Sequence, residues 1–357
     1  MGWRLIIKKK AMTKILNERN VKILQAVLKH FISTAEPVGS RTISKKYLRD
    51  LSPATIRNAM SDLEDSGFLK QPHPSAGRVP TDRAYRFYVD NLCKIPKPSH
   101  RDSEAIKKKL ESNRTEAMET ILQSSKVLSD LSNQASIILL PKFANITFKR
   151  IELIKTGAFQ VLVVFISKSG VVQNKLINLK DDLTQDKLDS ISRYLNDQFN
   201  NLTLREVRKK IVSTMKREKR IYNNLLKKAM ELIQKAFIED EIEGDFYIAG
   251  TTNIFDKPEF SDDLKKMKGI LSAFEEKSKL MYILDQCLKE EGTSIIIGSE
   301  NRIHEMQDCS LVTHTYKYGA NVLGTVGIFG PKRMEYPKII SLVDYTANIL
   351  SNKLSDS

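Results

Sequence analysis

Cysteine is scarce in this sequence. Cys93, Cys287 and Cys309 are odd in number and far apart. That excludes a disulfide framework and a zinc cluster of two-residue spacing, and it predicts reduced thiols of the kind kept in a cytoplasm. Long apolar runs are also missing. The longest, Val161 to Ile166 and Ser136 to Leu140, have the length of strands, well short of the roughly 18 residues a membrane span needs, so no membrane partner is expected. The opening Met1 to Ala11 carries Arg4, a short apolar patch and three lysines without a small-residue cleavage site, which is not a secretory signal, and Met12 is an alternative start. The five histidines (His30, His73, His100, His304, His314) are scattered, and no glycine-rich phosphate loop or nucleophile elbow occurs. Neither an enzyme, a cofactor nor a metal is therefore expected. His304-Glu305 and Asp308-Cys309 adjoin in sequence, but neighbours on one element point apart, and a solvated turn explains them.

Acidic side chains are outnumbered, 43 against 58 basic ones, for a net charge of +15. The excess is uneven: residues 1–98 hold 19 Lys and Arg against 8 Asp and Glu. A basic module in front of a nearly neutral body is the electrostatic footprint of a protein that meets phosphates. Within that module Ile23, Leu24, Val27, Leu28 and Phe31 share a helical face over Asn20 to Ser33, with Asn20 as N-cap. A loop with Pro37 and Gly39 precedes a short helix, Ser40 to Leu48. Leu51-Ser52-Pro53 then gives a strong start signal, a serine cap with proline in the first turn, for a third helix running to about Ser66. Phe68 to Thr81, punctuated by Pro72, Pro74, Gly77 and Pro80, reads as a two-stranded ribbon. An aromatic-rich helix, Asp82 to Leu92, leads into the linker Ile95-Pro96-Lys97-Pro98.

Three helices and a ribbon in a basic module read as a winged helix-turn-helix. In the third helix Ile56, Met60 and Leu63 must face inward. Ala54, Thr55, Arg57, Asn58 and Ser61 are left outward, beside the capping Ser52. Arg and Asn carry the paired donor and acceptor geometry that fits guanine and adenine edges in the major groove. Lys70, His73 and Arg78 on the ribbon, with Arg83 and Arg86 just after it, are expected on phosphates or in the minor groove. His73 has no second ligand at metal spacing. Ser40, Arg41 and Thr42 open the second helix, where hydroxyls and N–H groups grip a phosphate or simply cap the helix.

Beyond the linker the pattern predicts one long helix over Ser103 to Asn133, strands at Ser136 to Leu140, Thr147 to Lys155, Ala158 to Ser167 and Val171 to Leu179, and a helix at Thr184 to Asn200. From Leu204 to Asp240 a single helix carries Leu204, Ile211, Leu225 and Leu232 on a seven-residue step, interrupted by Glu218. Met215, Tyr222, Ala229 and Ala236 form the companion seam of what should be a dimerising helix. Phe246 to Ala249 and two helices precede further strands at Ser294 to Ile297, Ser310 to Tyr316 and Leu323 to Phe329, and Tyr336 to Leu350 forms a last helix. The alternation suggests one sheet domain interrupted by an insertion.

Glu36-Pro37-Val38-Gly39-Ser40-Arg41-Thr42, Ser52-Pro53-Ala54-Thr55-Ile56-Arg57-Asn58, Pro72-His73-Pro74-Ser75-Ala76-Gly77-Arg78-Val79-Pro80 and Tyr85-Arg86-Phe87-Tyr88-Val89-Asp90 together resemble the signature stretches of the HrcA family of heat-inducible transcription repressors. Leu323-Gly324-Thr325-Val326-Gly327-Ile328-Phe329-Gly330-Pro331 resembles it more weakly. Met1 to Ala11 looks foreign to that family. The resemblance implies an α+β multidomain fold: a winged-helix DNA-binding domain over 1–94, a linker over 95–102, and a GAF-like mixed α/β domain over 103–200 and 271–357, into which a dimerising domain, 201–270, is inserted. It also implies repression of heat-shock chaperone operons through an inverted-repeat operator, the CIRCE element, with the chaperonin GroEL restoring the active repressor. An inverted repeat demands two-fold symmetry and therefore a homodimer. A GAF-like domain that senses a small effector is the alternative.

Overall fold

A computed structural model describes residues 16–111, 117–141, 147–179, 181–203, 206, 246–261, 263–288, 291–319 and 321–356. It is a mixed α/β structure. Among the described residues no helix is long and apolar enough to cross a membrane.

Helix α1 (Glu18–Thr34) buries Ile23, Leu24, Val27 and Leu28 on one face. Its cap is Asn17, whose side chain accepts the Asn20 N–H at 2.8 Å. The expectation that Asn20 caps is thus corrected: Asn20 lies buried inside the first turn, because the helix begins early enough to place Asn17 at its mouth. Helices α2 (Ser40–Lys46) and α3 (Pro53–Asp65) follow, then strands β1 (Leu69–Lys70) and β2 (Val79–Pro80), paired antiparallel. Val38, between α1 and α2, bridges Arg78, so the ribbon gains a third line of backbone pairing. Helix α4 (Asp82–Phe87) runs into a π-helical turn over Tyr88–Leu92. These elements form a basic head.

The expected long helix after the linker is two helices, α5 (His100–Glu111) and α6 (Ala117–Ser132), packed side by side. Lys109 Nζ lies 3.0 Å from Asp130 Oδ2; in one straight helix, 21 positions apart, they would stand roughly 32 Å from each other. The two stretches share a helical period, and a period cannot report a reversal of the chain.

A five-stranded antiparallel sheet forms the body, in the order β7 (Phe246–Ala249), β3 (Ala135–Leu139), β10 (Asn321–Pro331), β9 (Cys309–Tyr318), β8 (Thr293–Ile297). Alternate residues face opposite ways. Ile138, Val312, Val326 and Ile328 join the core shared with α6 and the last helix, α12 (Tyr336–Asp356). Ile137, Leu139, Leu311 and Phe329 pack instead against α10 (Leu264–Glu275) and α11 (Lys277–Leu288). The short helices α8 (Thr252–Phe255) and α9 (Pro258–Ser261) lead from β7 to α10.

The strands expected at 147–179 do not join this sheet. β4 (Phe148–Gly157), β5 (Gln160–Ser167) and β6 (Val172–Asn178) make a separate three-stranded meander covered by α7 (Gln185–Phe199). Ile151, Leu153, Val161, Val163 and Phe165 meet Leu188, Ile191, Leu195 and Phe199 there. Short turns favour local pairing of consecutive strands. Of the strands expected within 103–200, only β3 enters the large sheet, and β7, expected within the insertion 201–270, is its edge.

Candidate nucleic-acid interface

Helix α3 starts where its sequence directs. Ser52 Oγ accepts the Thr55 N–H at 3.1 Å and lies 2.9 Å from Thr55 Oγ1, with Pro53 in the first turn. A serine cap of this kind is worth about 1 kcal/mol. Ser52, exposed beside the outward residues of α3, therefore caps the helix start. Ile56, Ala59, Met60 and Leu63 are buried beneath α3. That leaves Ala54, Arg57, Asn58 and Ser61 exposed and Thr55 half-buried. Among the described residues the side chains of Arg57, Asn58 and Ser61 make no hydrogen bond or ion pair.

The N-terminus of α2 lies in the same head. Its cap, Gly39, has no side chain to offer, and the hydroxyls of Ser40 and Thr42 make no capping bond. Arg41 is exposed, as are Lys70 and His73 on the ribbon. Gln71 closes the ribbon tip, its Nε2 donating to Pro74 O at 2.7 Å and to Ala76 O at 2.9 Å.

The remaining arginines have other employment. Arg78 Nε donates to Glu64 Oε2 at 2.7 Å, while Glu64 Oε1 accepts the Gln71 N–H at 3.1 Å. Arg83 donates to Ser66 O at 2.7 Å, at the C-terminal end of α3, and its guanidinium lies 4.7 Å from the centre of the Phe68 ring. Arg86 turns away from the head altogether. Its Nε donates to Glu300 Oε1 at 2.7 Å, Nη1 to Asp90 at 3.2 Å, and Nη2 to Ile295 O at 2.7 Å and to the second oxygen of Glu300. Burial works against its charge, and Glu300 and Asp90 outweigh it, so its pKa is raised. Arg78, Arg83 and Arg86, expected on phosphates, thus each have their guanidinium held by the protein itself.

Sequence reasoning missed Glu64 and Gln71, which shape the ribbon, and Glu300 and Asp82, which hold the head. For Glu64 and Arg78 opposite charges flanking the ribbon were a usable signal. Glu300, 214 positions from Arg86, had none. The seam residues Leu204, Ile211, Met215, Tyr222, Leu225, Ala229 and Leu232 lie outside the described residues.

Residues 118–340 match the family model described as the HrcA protein C terminal domain. The heat-inducible transcription repressor HrcA of Syntrophobacter fumaroxidans is 41% identical over 342 residues, 96% of this chain and 98% of its own. This chain belongs to the HrcA family. The HrcA of Geobacter sulfurreducens is 40% identical over 339 residues, covering 95% of this chain and 98% of that one. A crystal structure of a hypothetical protein superposes with a TM-score of 0.61 at 23% identity, over 96% of this chain and 99% of its own. The HrcA relatives are transcription repressors, which fits a basic head whose exposed helix face carries an unpaired Arg and Asn.

Proposed function

We propose that residues 16–92 are a winged-helix reading head that lays α3 in the major groove of double-stranded DNA. Arg57 and Asn58 read base edges, and Thr55 and Ser61 flank them. Ser40, Arg41 and Thr42 take phosphate, and Lys70 and His73 place the ribbon along the backbone or in the minor groove. The observation that carries this is the contrast within α3: one face is wholly buried, and the other presents two base-reading side chains with no partner of their own among the described residues.

The protein acts as a homodimer on an inverted repeat of the CIRCE kind, represses chaperone operons, and is returned to its active state by a chaperonin of the GroEL kind. The body is a GAF-like domain interrupted after β3 and resumed at β7, and the interruption supplies the dimer contact. The test is DNA binding by Arg57→Ala and Asn58→Ala. Each loses roughly 1–3 kcal/mol on the cognate site and scarcely changes binding to random DNA. Equal losses on both would show that the reading surface lies elsewhere.

A further inference from the structure

Arg86 was expected on phosphate, yet its guanidinium points into the body. All three guanidinium nitrogens of Arg86 are engaged there or by Asp90, chiefly on Glu300 and on the carbonyl of Ile295 in the edge strand β8. One turn earlier, Asp82 Oδ2 accepts the Ser299 N–H at 2.8 Å, and Oδ1 pairs with Lys332 at 2.9 Å. Gly298 makes the approach possible. Its φ is +52°, and a Cβ there would stand 2.4 Å from the Asp82 carboxylate. The buried ring of Tyr85 packs 6.1 Å from that of Tyr336, at the start of α12.

A second attachment lies on another element of the head. Arg333, clamped by Glu259, donates through Nη1 to Ile32 O at 3.1 Å, in the last turn of α1. One point of attachment would leave the head free to turn about it. Two points, on α1 and on α4, fix its orientation.

We propose that Asp82 and Arg86 are positioning residues: they hold the reading head on the body in one orientation and thereby set the half-site separation the protein accepts, without touching DNA. The proposal rests on the reading of the head given above. A phosphate would have to displace Glu300 to reach Arg86. Without the two attachments the head would hang on the linker at 95–98, and its partner head in a dimer would stand at no defined distance. DNA sites one helical turn apart can be told from sites half a turn out of phase only by heads held at a fixed separation.

The experiment uses the full chain and a duplex selected by it from random-sequence DNA, tested entire, cut to its half-site, and with the spacing lengthened one base pair at a time. Arg86→Ala and Glu300→Gln are expected to bind the half-site within twofold of the unaltered protein. Its preference for the selected spacing over one lengthened by about 5 bp, expected at tenfold or more, should fall to threefold or less. A fivefold loss of half-site affinity in Arg86→Ala, with a shallower salt dependence, would make Arg86 a phosphate contact and overturn the proposal. So would a spacing preference that survives both variants, or an unaltered protein indifferent to spacing. Arg57→Ala on the same half-site separately reports whether the head itself has been misassigned, since that variant should lose affinity whatever Arg86 does.

Discussion

At the C-terminal end of α3 one carboxylate braces both arms of the ribbon: Glu64 takes the Gln71 N–H and the Arg78 guanidinium. Both partners of the ion pair are about a quarter to a third exposed, so solvent discounts the pair. Glu64→Ala should cost about 1 kcal/mol in urea unfolding, whereas Lys70→Ala, on an exposed side chain, should cost nothing measurable. A different residue sets a pH limit. His314, on β9, is half-buried against α12, its Nδ1 2.8 Å from the Thr293 hydroxyl and 3.4 Å from Asp344, and burial pushes its pKa down from 6.5 to about 4. Between those values the unfolded chain binds the proton and the folded chain does not, so stability falls as the pH drops from 6.5 toward 4, by at most about 3 kcal/mol. His314→Asn should flatten that part of a Tm-against-pH curve; an unchanged slope would place the proton elsewhere. At this scale the sequence was informative where partners are close. The outward face of α3 follows from helical period alone, but which arginines were free did not, because Glu300 and Ile295 approach Arg86 only through the tertiary fold.

Elements were legible by type and less so by pairing. The strands of both sheets lie where alternation and length predict them, within a few residues. The period of Ser103 to Asn133, however, could not separate one helix from the packed pair α5 and α6, and strand pattern could not say that β4, β5 and β6 keep to themselves. Long-range pairing is decided by complementary faces that one strand does not display. The ribbon offers an element-scale test. Gly77 lies against the Val38 backbone, where a Cβ would come within 2.5 Å of the carbonyl carbon, and Val38 and Arg78 exchange N–H···O bonds of 3.0 and 2.9 Å. Gly77→Ala must push the ribbon off the α1–α2 loop, at a cost of roughly 1–3 kcal/mol, and should weaken cognate and random DNA alike, read by titration on both. The expected dimer helix is tested by Leu225→Glu: sedimentation at several concentrations should show a folded monomer, and a stable dimer would refute the seam.

On the scale of the molecule, head and body meet through carboxylates whose charge the fold protects. Burial alone would raise the pKa of Asp82, at that junction, and of Asp308, behind it in the body, but Lys332 and the Ser299 N–H at Asp82, and Lys266 with Lys332 at Asp308, bring both below the ordinary value. Their contribution is therefore complete above a pH of about 4 and is lost as the pH falls through the depressed values. Protease cleavage in the linker at 95–98 should accelerate in that acid range, and earlier in Lys332→Ala. The order of the large sheet carries a consequence in time. Strand β3 sits between β7 and β10, and its partner residues on β10 run from Thr325 to Phe329, so about 180 residues must be synthesised after β3 before that edge can pair. At 5–20 residues per second this is on the order of 10–40 s. Until β7 emerges, about 110 residues on, the apolar run Ala-Ser-Ile-Ile-Leu stands with both backbone edges bare, and from then until β10 follows one edge stays open. A nascent chain in that state displays a template for β-aggregation, and the yield of native protein becomes a competition between finishing translation and being captured, by another copy or by a chaperone.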